Sequence, residues 1–265
     1  MRISMIAVIC CTLISTHVFC QDHAGLGEAA RHAVDPTASI TKLQFQPNYY
    51  IYYGSGNQFN LTSRVIRPFS GVFLPFIKAG NPKKFYSVAR IEVPVTSQTY
   101  PGDSPRNATG LADITCLDML VVRTGWGRLG GGPSLGFPTA TSPELGSGKW
   151  TAGLSAIIMS NMINGWMLGV LMQQMFSYAG SPSRPPVNYL QLQPMVNCVL
   201  GKGYFLGYTS IITLDWEKDA YTIPVSVSFG KALAKNFTLM LTPEYFLTGP
   251  MKKGFLIEFN INAMF

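Results

Sequence analysis

The chain ends in GFLIEFNINAMF, residues 254–265, and the alternation within this stretch decides the fold. Side chains of a β-strand point alternately to its two faces, so one face here is continuously apolar while the other is mostly polar. A helix would need apolar residues at a period of about 3.6, which the stretch lacks. The apolar face carries Phe255, Ile257, Phe259, Ile261, Ala263 and Phe265, and the opposite face carries Leu256, Glu258, Asn260, Asn262 and Met264.

A last strand that closes on an aromatic residue is typical of outer-membrane β-barrels, whose assembly machinery recognises such an end. We therefore interpret this strand as a C-terminal assembly signal formed by Phe259, Ile261, Ala263 and Phe265. The interpretation predicts two partners, outer-membrane lipid and the barrel-assembly machinery.

The same alternation recurs from about residue 41 onward, in segments bounded by Gly, Pro, Asn and Ser. Long connections (98–109, 140–147 and 178–186) alternate with short ones (124–127, 161–163 and 201–202), as in barrels with short periplasmic turns and long outer loops. The predicted fold class is all-β, a closed antiparallel transmembrane β-barrel of about 12 strands over residues 41–265. Both ends then lie in the periplasm, and the last strand pairs with the first. The predicted strands are 43–54, 59–74, 84–97, 110–123, 128–139, 148–160, 164–177, 187–200, 203–215, 220–231, 236–247 and 254–265.

The segment ahead of the barrel has two predicted parts. Residues 1–20 have the pattern of a secretory signal peptide, with Arg2 before a short apolar core and cleavage before Gln21. A lipoprotein cleaved before Cys20 is the alternative, which Phe19 disfavours. Residues 21–40 are predicted to be an N-terminal periplasmic arm, and residues 25–34 can form a short helix within it.

Composition narrows the class of protein. Only 12% of the residues are charged, about half the average of soluble proteins, which suggests that part of the surface faces lipid. The formal net charge of +7 is scattered without a basic run, so nucleic acid is not predicted as a partner. Signal cleavage leaves Cys116 and Cys198, which are too few and too far apart in sequence for a disulfide scaffold.

Candidate catalytic motifs are few. His17, His23 and His32 all precede the barrel, so a Ser-His-Asp hydrolase or a histidine metal site within the barrel is not expected. We therefore predict no enzyme activity, no catalytic residue, no metal site and no cofactor. Residues 125–130 match GxGxxG, but glycines and Pro133 follow, so no helix can begin there to face a phosphate. We interpret them as a periplasmic turn that enters a glycine-rich strand.

Two features oppose the barrel interpretation. Residues 150–183 carry no charge, so a membrane helix is an alternative there, although Asn161, Asn164 and Gly165 favour two lipid-facing strands. Prolines within or near predicted strands each remove a donor from the ladder, and we expect them at rims or bulges. They are Pro94, Pro138, Pro194, Pro224 and Pro243.

Charges are costly on a lipid face, so the charged residues of the strands are expected to face the lumen. They are Arg90, Glu92, Asp113, Arg123, Lys149, Asp215, Glu244 and Glu258, with Arg64 or Arg67 as a further member. Twelve strands lie between small filled barrels and wide porins, so two interpretations stay open: paired charges that fill a narrow lumen, or a polar track for a permeating solute. Interfacial aromatic girdles are predicted from Tyr49, Tyr50, Tyr52, Tyr53, Trp166, Tyr178, Tyr204, Trp216 and Tyr221.

The stretch GFPTAT, residues 136–141, followed by LGSGKW, residues 145–150, resembles bacterial outer-membrane proteins of the phenol meta-degradation pathway type, many of which are labelled "neuromedin U". Residues 110–114, GLADI, are similar to the family's GLGDI, with Ala112 in place of the second glycine. Further similarity lies at Trp166, FSYAG (176–180), LQP (192–194), LDW (214–216) and TIPV (222–225). The resemblance runs from about residue 43 to the end. It implies an outer-membrane barrel, associated in some members with aromatic degradation and uptake of apolar compounds, and it implies no catalytic residues.

Together these features favour a passive channel or transporter for small solutes, with apolar or aromatic compounds as candidates, exported to the outer membrane of a Gram-negative bacterium. A structural or surface-interaction barrel with a filled lumen and no transport is the alternative. A membrane-embedded enzyme is a third hypothesis, which the missing histidines disfavour.

Overall fold

The structure is a computed structural model that describes residues 25–52, 56–69, 84–100, 107–250 and 254–265. The predicted signal peptide lies outside these residues. A helix, α1 (Leu26–Val34), precedes sixteen strand segments that together form twelve barrel strands. The strands are β1 (Lys42–Tyr52), β2 (Gly56–Phe69), β3 (Phe85–Thr99), β4 (Ala108–Leu111 and Ile114–Arg123), β5 (Gly127–Phe137), β6 (Lys149–Ser160), β7 (Trp166–Gly180), β8 (Asn188–Gly201), β9 (Tyr204–Tyr208 and Ile212–Asp215), β10 (Ala220–Thr222, Pro224–Ser226 and Ser228–Ala234), β11 (Phe237–Phe246) and β12 (Phe255–Met264).

The strands follow one another around the barrel, and every pair is antiparallel. Pairing of β12 with β1 closes the sheet, with Leu43 opposite Ala263 and Ile51 opposite Phe255. Within the described residues, closure gives each of the twelve strands a neighbour on both sides, as a bilayer requires because lipid cannot satisfy backbone hydrogen bonds. The predicted fold class is therefore confirmed.

Residues 150–183, for which a helix was the alternative, form β6, a turn and β7. Within the described ranges, no helix is long and apolar enough to cross a membrane.

Prolines explain where the ladders are interrupted. β4 breaks beside Pro94, whose carbonyl accepts from Ala112, and β9 breaks beside Pro194 of β8. β10 breaks at Val227, whose N–H donates to the carbonyl of Pro243 in β11. The expectation that the prolines lie at rims or bulges was wrong for Pro94, Pro194, Pro224 and Pro243, all of which lie within strands. A missing N–H costs only one ladder bond, and pairing resumes beyond it, so the strand limits survive.

The two ends of the barrel differ. We call one the short-turn end, because it carries the turns at 124–126, 161–165, 202–203 and 235–236, and also the start of β1 and Phe265. The other is the long-loop end, with the connections 100–107, 138–148, 181–187 and 247–254. Two intervals depart from the alternation in length, since β1 and β2 are only three residues apart in sequence while β2 and β3 are fifteen residues apart.

The outer face of the strands is apolar along the whole circumference. Leu154 is 70% exposed there, and Phe176 and Phe259 are each 50% exposed. A water-soluble protein would not leave such a continuous band uncovered, whereas lipid covers it at no cost. Charged exceptions on this face include Asp118 of β4, between the inward Leu117 and Met119, and also Arg67 and Lys231.

The inner face packs around the N-terminal segment, so the core lies inside the barrel. Ala29, Ala30 and Ala33 of α1 are buried against inward residues of β8 to β12, namely Val199, Phe205, Ala232, Met240 and Met264. The Phe205 ring approaches this core over Gly230, where a Cβ atom would lie 2.0 Å from Phe205 Cζ. A second apolar cluster lines the opposite wall and touches Val34 of the arm. Its members are Ile66, Tyr86, Val88, Leu117, Met119, Val121, Ile157, Met159, Met167, Leu171 and Met195.

Candidate functional site

The lumen has one polar wall, built from the inward residues of β11, β12, β1, β2 and β3. A charged group lies at its centre, where Glu92 Oε1 forms ion pairs with Arg64 Nε at 2.8 Å and with Arg90 Nε at 2.9 Å. These residues come together because Arg64 is the register partner of Glu92, and Arg90 is two residues away on the same face. One carboxylate shared by two guanidiniums is a rigid arrangement, because moving any one of the three side chains away leaves a buried charge uncompensated.

Neutral polar groups extend this wall toward β11. Gln44 accepts from Arg64 Nη1 at 3.4 Å and donates to Asn262 Oδ1. Asn262 in turn donates to Thr238 Oγ1 at 3.0 Å. The network therefore crosses neighbouring strands from β3 to β11 and fixes the inner surface of this half of the barrel.

The opposite wall, from β4 to β8, carries many methionines, together with inward amides on β7 and β8 at Gln173, Gln191 and Asn197. Its inward positions include Met119, Met159, Met175 and Met195, each no more than 2% exposed. Beyond Arg128, β5 contributes only one small side chain to the lumen, because its further inward positions are Gly130, Gly132, Ser134 and Gly136. The two walls thus differ, with the Arg64–Glu92–Arg90 group on one and four buried methionines on the other.

The arm is fastened to the wall by a group that we call the latch: Asp35, Thr37, Lys42, Tyr86 and Arg128. Asp35, 2% exposed, pairs with Arg128 at 2.6 Å and accepts the Thr37 N–H and hydroxyl at 2.8 and 2.7 Å. Lys42 Nζ donates to the carbonyls of Asp35 at 2.6 Å and His32 at 3.0 Å. The Tyr86 hydroxyl donates to the Thr37 carbonyl at 2.6 Å. The latch holds α1 across the lumen at the short-turn end.

The long-loop end is more open. Inward side chains there, such as Tyr52, Gln58, Tyr189, Gln191 and Thr213, are partly exposed, whereas Lys42, Gln44 and Met195 further in are buried. This gradient describes a vestibule that narrows toward the arm.

The connection 138–148 shapes the rim of the vestibule. Asp113 accepts the Ser147 N–H at 2.7 Å, the Ser147 hydroxyl at 2.8 Å and the Ala140 N–H at 3.2 Å. Arg184 donates to the carbonyls of Pro143 and Gly146 at 2.6 and 2.5 Å. On the outside of the connection, the Ser142 hydroxyl donates to Glu144 and holds the pKa of that carboxyl below its usual range.

The eight charged residues predicted to face the lumen lie in different environments. Arg90 and Glu92 belong to the charged group, and Glu244 accepts from the Ser210 hydroxyl at 2.6 Å. Four others lie at the ends of strands: Arg123 stacks over the Tyr86 ring at the short-turn end, while Asp113, Lys149 and Asp215 lie at the long-loop end. Asp215 pairs with Lys218 of its own turn at 2.7 Å. Glu258 lies mid-strand on the polar wall, opposite Asn48 and Thr242.

The aromatic residues divide differently from the prediction. Tyr50 and Tyr52 belong to the lumen face, where their rings stack at 6.1 Å and Tyr52 donates to Gln58, so their assignment to a girdle was wrong. Tyr53 lies outside the described residues. Tyr178, Trp216 and Tyr221 are exposed near the long-loop end, and Trp166 and Tyr204 lie near the short-turn end. Of the charged pair left open, Arg64 faces inward and Arg67 faces outward over Phe69.

Several lumen residues were missed from sequence. Lys42, Gln44 and Asn48 alternate with Leu43, Phe45 and Tyr49, a signal that was available in the first strand. Asp35 and Arg128 carried no such signal, since their pairing joins a loop to a strand far along the chain. In the described parts of the chain, no group of three or more His, Cys, Asp or Glu could hold a metal ion, and Cys116 and Cys198 are free thiols.

Solved bacterial outer-membrane barrels share this fold. An outer-membrane channel from Pseudomonas putida F1 matches with a TM-score of 0.69 at 14% identity, over 88% of this chain and 98% of that one. The translocator domain of the autotransporter NalP from Neisseria meningitidis matches with a TM-score of 0.51 at 13% identity, over 90% and 92%. The outer-membrane phospholipase A from Escherichia coli matches with a TM-score of 0.50 at 10% identity, over 89% of this chain and 97% of that one. No protein-family model and no curated protein matches the sequence. The likeness shows the fold alone, which carries a channel, a translocator and an enzyme.

Proposed function

We propose that this chain is a bacterial outer-membrane barrel that acts as a passive channel for small solutes, and that the structure is its closed conformation. The observation that carries the proposal is the arm, which fills the short-turn end while a vestibule lined by polar side chains opens at the other end. A segment outside the sheet can leave the lumen without breaking any ladder bond between barrel strands. The barrel itself therefore need not unfold to open.

The two walls suggest which solutes would pass. A solute with an apolar body and a polar group could contact the methionine wall with one side and the amide and charged wall with the other. The resemblance of residues 136–150 to proteins of the phenol meta-degradation pathway type agrees with apolar or aromatic solutes. We therefore propose small aromatic compounds as the first class to assay.

The second candidate is a structural or surface-interaction barrel with a permanently filled lumen. The apolar cluster from Ile66 to Met195 favours it, because several of these inward side chains are 0–4% exposed and leave little free space between them. An enzyme is not proposed, because all three histidines precede the barrel strands in the sequence, and His32 lies in α1 beside Glu28.

Planar-bilayer recordings of the refolded protein distinguish these candidates. The wild type and a variant lacking residues 21–40 are compared, and a shift between boiled and unboiled samples in gels first verifies that each has folded as a barrel. A channel closed by the arm predicts rare openings for the wild type and sustained conductance for the deletion variant. Solute flux into vesicles should rise in parallel. If two folded barrels both lack conductance and flux, the channel proposal is wrong and the filled barrel stands.

A further inference from the structure

Four side-chain oxygen groups on the polar wall lie next to one another, and we call them the oxygen cluster: Asn48, Asn60, Glu258 and Asn260. Asn48 of β1 is the register partner of both Asn60 in β2 and Glu258 in β12. Asn260 lies two residues beyond Glu258 on the same face. Partners in register have Cβ atoms about 4.5–5.5 Å apart, and diagonal neighbours lie within about 7–8 Å, so the four groups share one patch of the lumen.

The amide oxygens of the cluster have no hydrogen-bond donor. Asn48 Oδ1, Asn60 Oδ1 and Asn260 Oδ1 are buried and unpartnered, and the Asn48 and Asn260 residues are only 7% and 5% exposed. Glu258 forms neither a hydrogen bond nor an ion pair with any of the residues that the structure describes. Burying one unpartnered acceptor is already costly, so three such amide oxygens in one patch are unexpected.

Two neighbouring donors on this wall, Arg64 and Thr242, are engaged elsewhere. The Arg64 guanidinium, the nearest positive charge on this wall, pairs with Glu92 and donates to Gln44. The Thr242 hydroxyl, opposite Glu258, donates to Ser228 Oγ at 2.9 Å. Among the described residues, no donor reaches the three amide oxygens, although amide N–H groups lie in the same cluster, and acceptors left in this way can be satisfied by a cation.

We propose that the oxygen cluster binds a small hard cation, with Ca²⁺ as the class representative. Calcium is bound by carboxylates and by amide carbonyls, both of which are present here. Neither imidazole nor thiolate faces the cluster, so soft transition metals are disfavoured. A single carboxylate gives a weak site, with a dissociation constant on the order of 10⁻⁴–10⁻³ M. Binding at this site does not depend on whether the barrel conducts.

The test uses the full refolded barrel in detergent, titrated with CaCl₂ by calorimetry and with Tb³⁺ by luminescence. Tyr50, two residues from Asn48 on the same face, is positioned to sensitise bound terbium. Glu258→Gln should weaken Ca²⁺ binding at least tenfold, and Asn48→Asp, which adds a second carboxylate, should strengthen it at least tenfold. The matched control, Asp215→Asn at the long-loop end, should leave binding unchanged.

Competition with NaCl identifies the cation class, since displacement of Tb³⁺ by Ca²⁺ at concentrations where Na⁺ is ineffective supports the proposal. Displacement by Na⁺ and Ca²⁺ at equal concentrations overturns the choice of Ca²⁺. Absence of binding to the folded wild type at millimolar Ca²⁺ overturns the site itself. So does wild-type affinity in both Glu258→Gln and Asn48→Asp, each verified as folded by heat-modifiable migration. None of these readouts requires conductance, so failure here is distinct from failure of the channel proposal.

Discussion

Replacing Asp35 with Asn tests whether the latch holds the arm in the lumen. The carboxylate is 2% exposed and pairs with Arg128 at 2.6 Å, while Thr37 donates to it at 2.8 and 2.7 Å. Removing one partner of a buried ion pair costs about 3–5 kcal/mol, and we take the lower end because the amide keeps the shape and can still accept from Thr37. About 3 kcal/mol corresponds to a roughly 10²-fold larger population of undocked arm, since each 1.4 kcal/mol is a factor of ten.

Hydrogen exchange of the refolded protein measures this population directly, because amides of residues 26–41 exchange through local opening. We expect these amides to exchange roughly 10²-fold faster in Asp35→Asn, with β12 protected as in the wild type. Asp215→Asn, which removes an acid from the exposed pair with Lys218, should leave the arm unaffected. Arm exchange at the wild-type rate in Asp35→Asn would refute the reasoning. A double variant with Arg128→Gln should cost little more than Asp35→Asn alone, because no uncompensated charge remains.

Three further changes probe the barrel. Gly230→Ala places a Cβ 2.0 Å from Phe205 Cζ, so we expect the barrel to be destabilised by about 1–3 kcal/mol. The folded band in gels should then convert to the unfolded band at a lower temperature. An unchanged conversion temperature would contradict this packing. Leu154→Arg puts a charge on the outer face, at a side chain that is 70% exposed, and should lower the free energy of unfolding by about 2–4 kcal/mol in denaturant titrations in vesicles. Stability equal to that of Leu154→Ala would mean that this position lies outside the hydrocarbon band. Phe265→Ser keeps the backbone bonds with Thr41 at 3.3 and 2.9 Å, so stability in vitro should be retained while the amount of barrel assembled in cells falls; wild-type amounts would show that the terminal aromatic is not part of an assembly signal.

Most of the barrel could be predicted from the sequence, because successive residues of a strand face lipid and lumen in turn, and lipid requires apolar side chains while the lumen accepts polar ones. In β12 the lipid face carries Phe, Ile and Ala, whereas the lumen face carries Glu and Asn. The same contrast predicted most strand limits to within a few residues, even where prolines interrupt a ladder, while the predicted ends of the first two strands lie outside the described residues.

The alternation fails where both faces accept the same residue type. Tyr49, Tyr50, Ile51 and Tyr52 are all apolar or aromatic, so their order alone does not tell which ones face lipid. The phase carried forward from Asn48 decides it, because the period of two places Tyr50 and Tyr52 on the same face as Asn48.

The sequence by itself determined a closed barrel of lipid-facing strands, because period-two patterning is a local property that each strand carries independently. Only the tertiary structure decided that the arm lies inside the lumen, that Asp35 meets Arg128, and that Asn48, Asn60 and Glu258 share one patch. Those contacts join residues far apart in the chain, and they depend on strand register and on a segment folding back into the barrel. Strand register and the folding back of the N-terminal segment do not produce a periodic pattern in the sequence. A side chain on the lumen face is polar or apolar according to the residue that it contacts across the barrel.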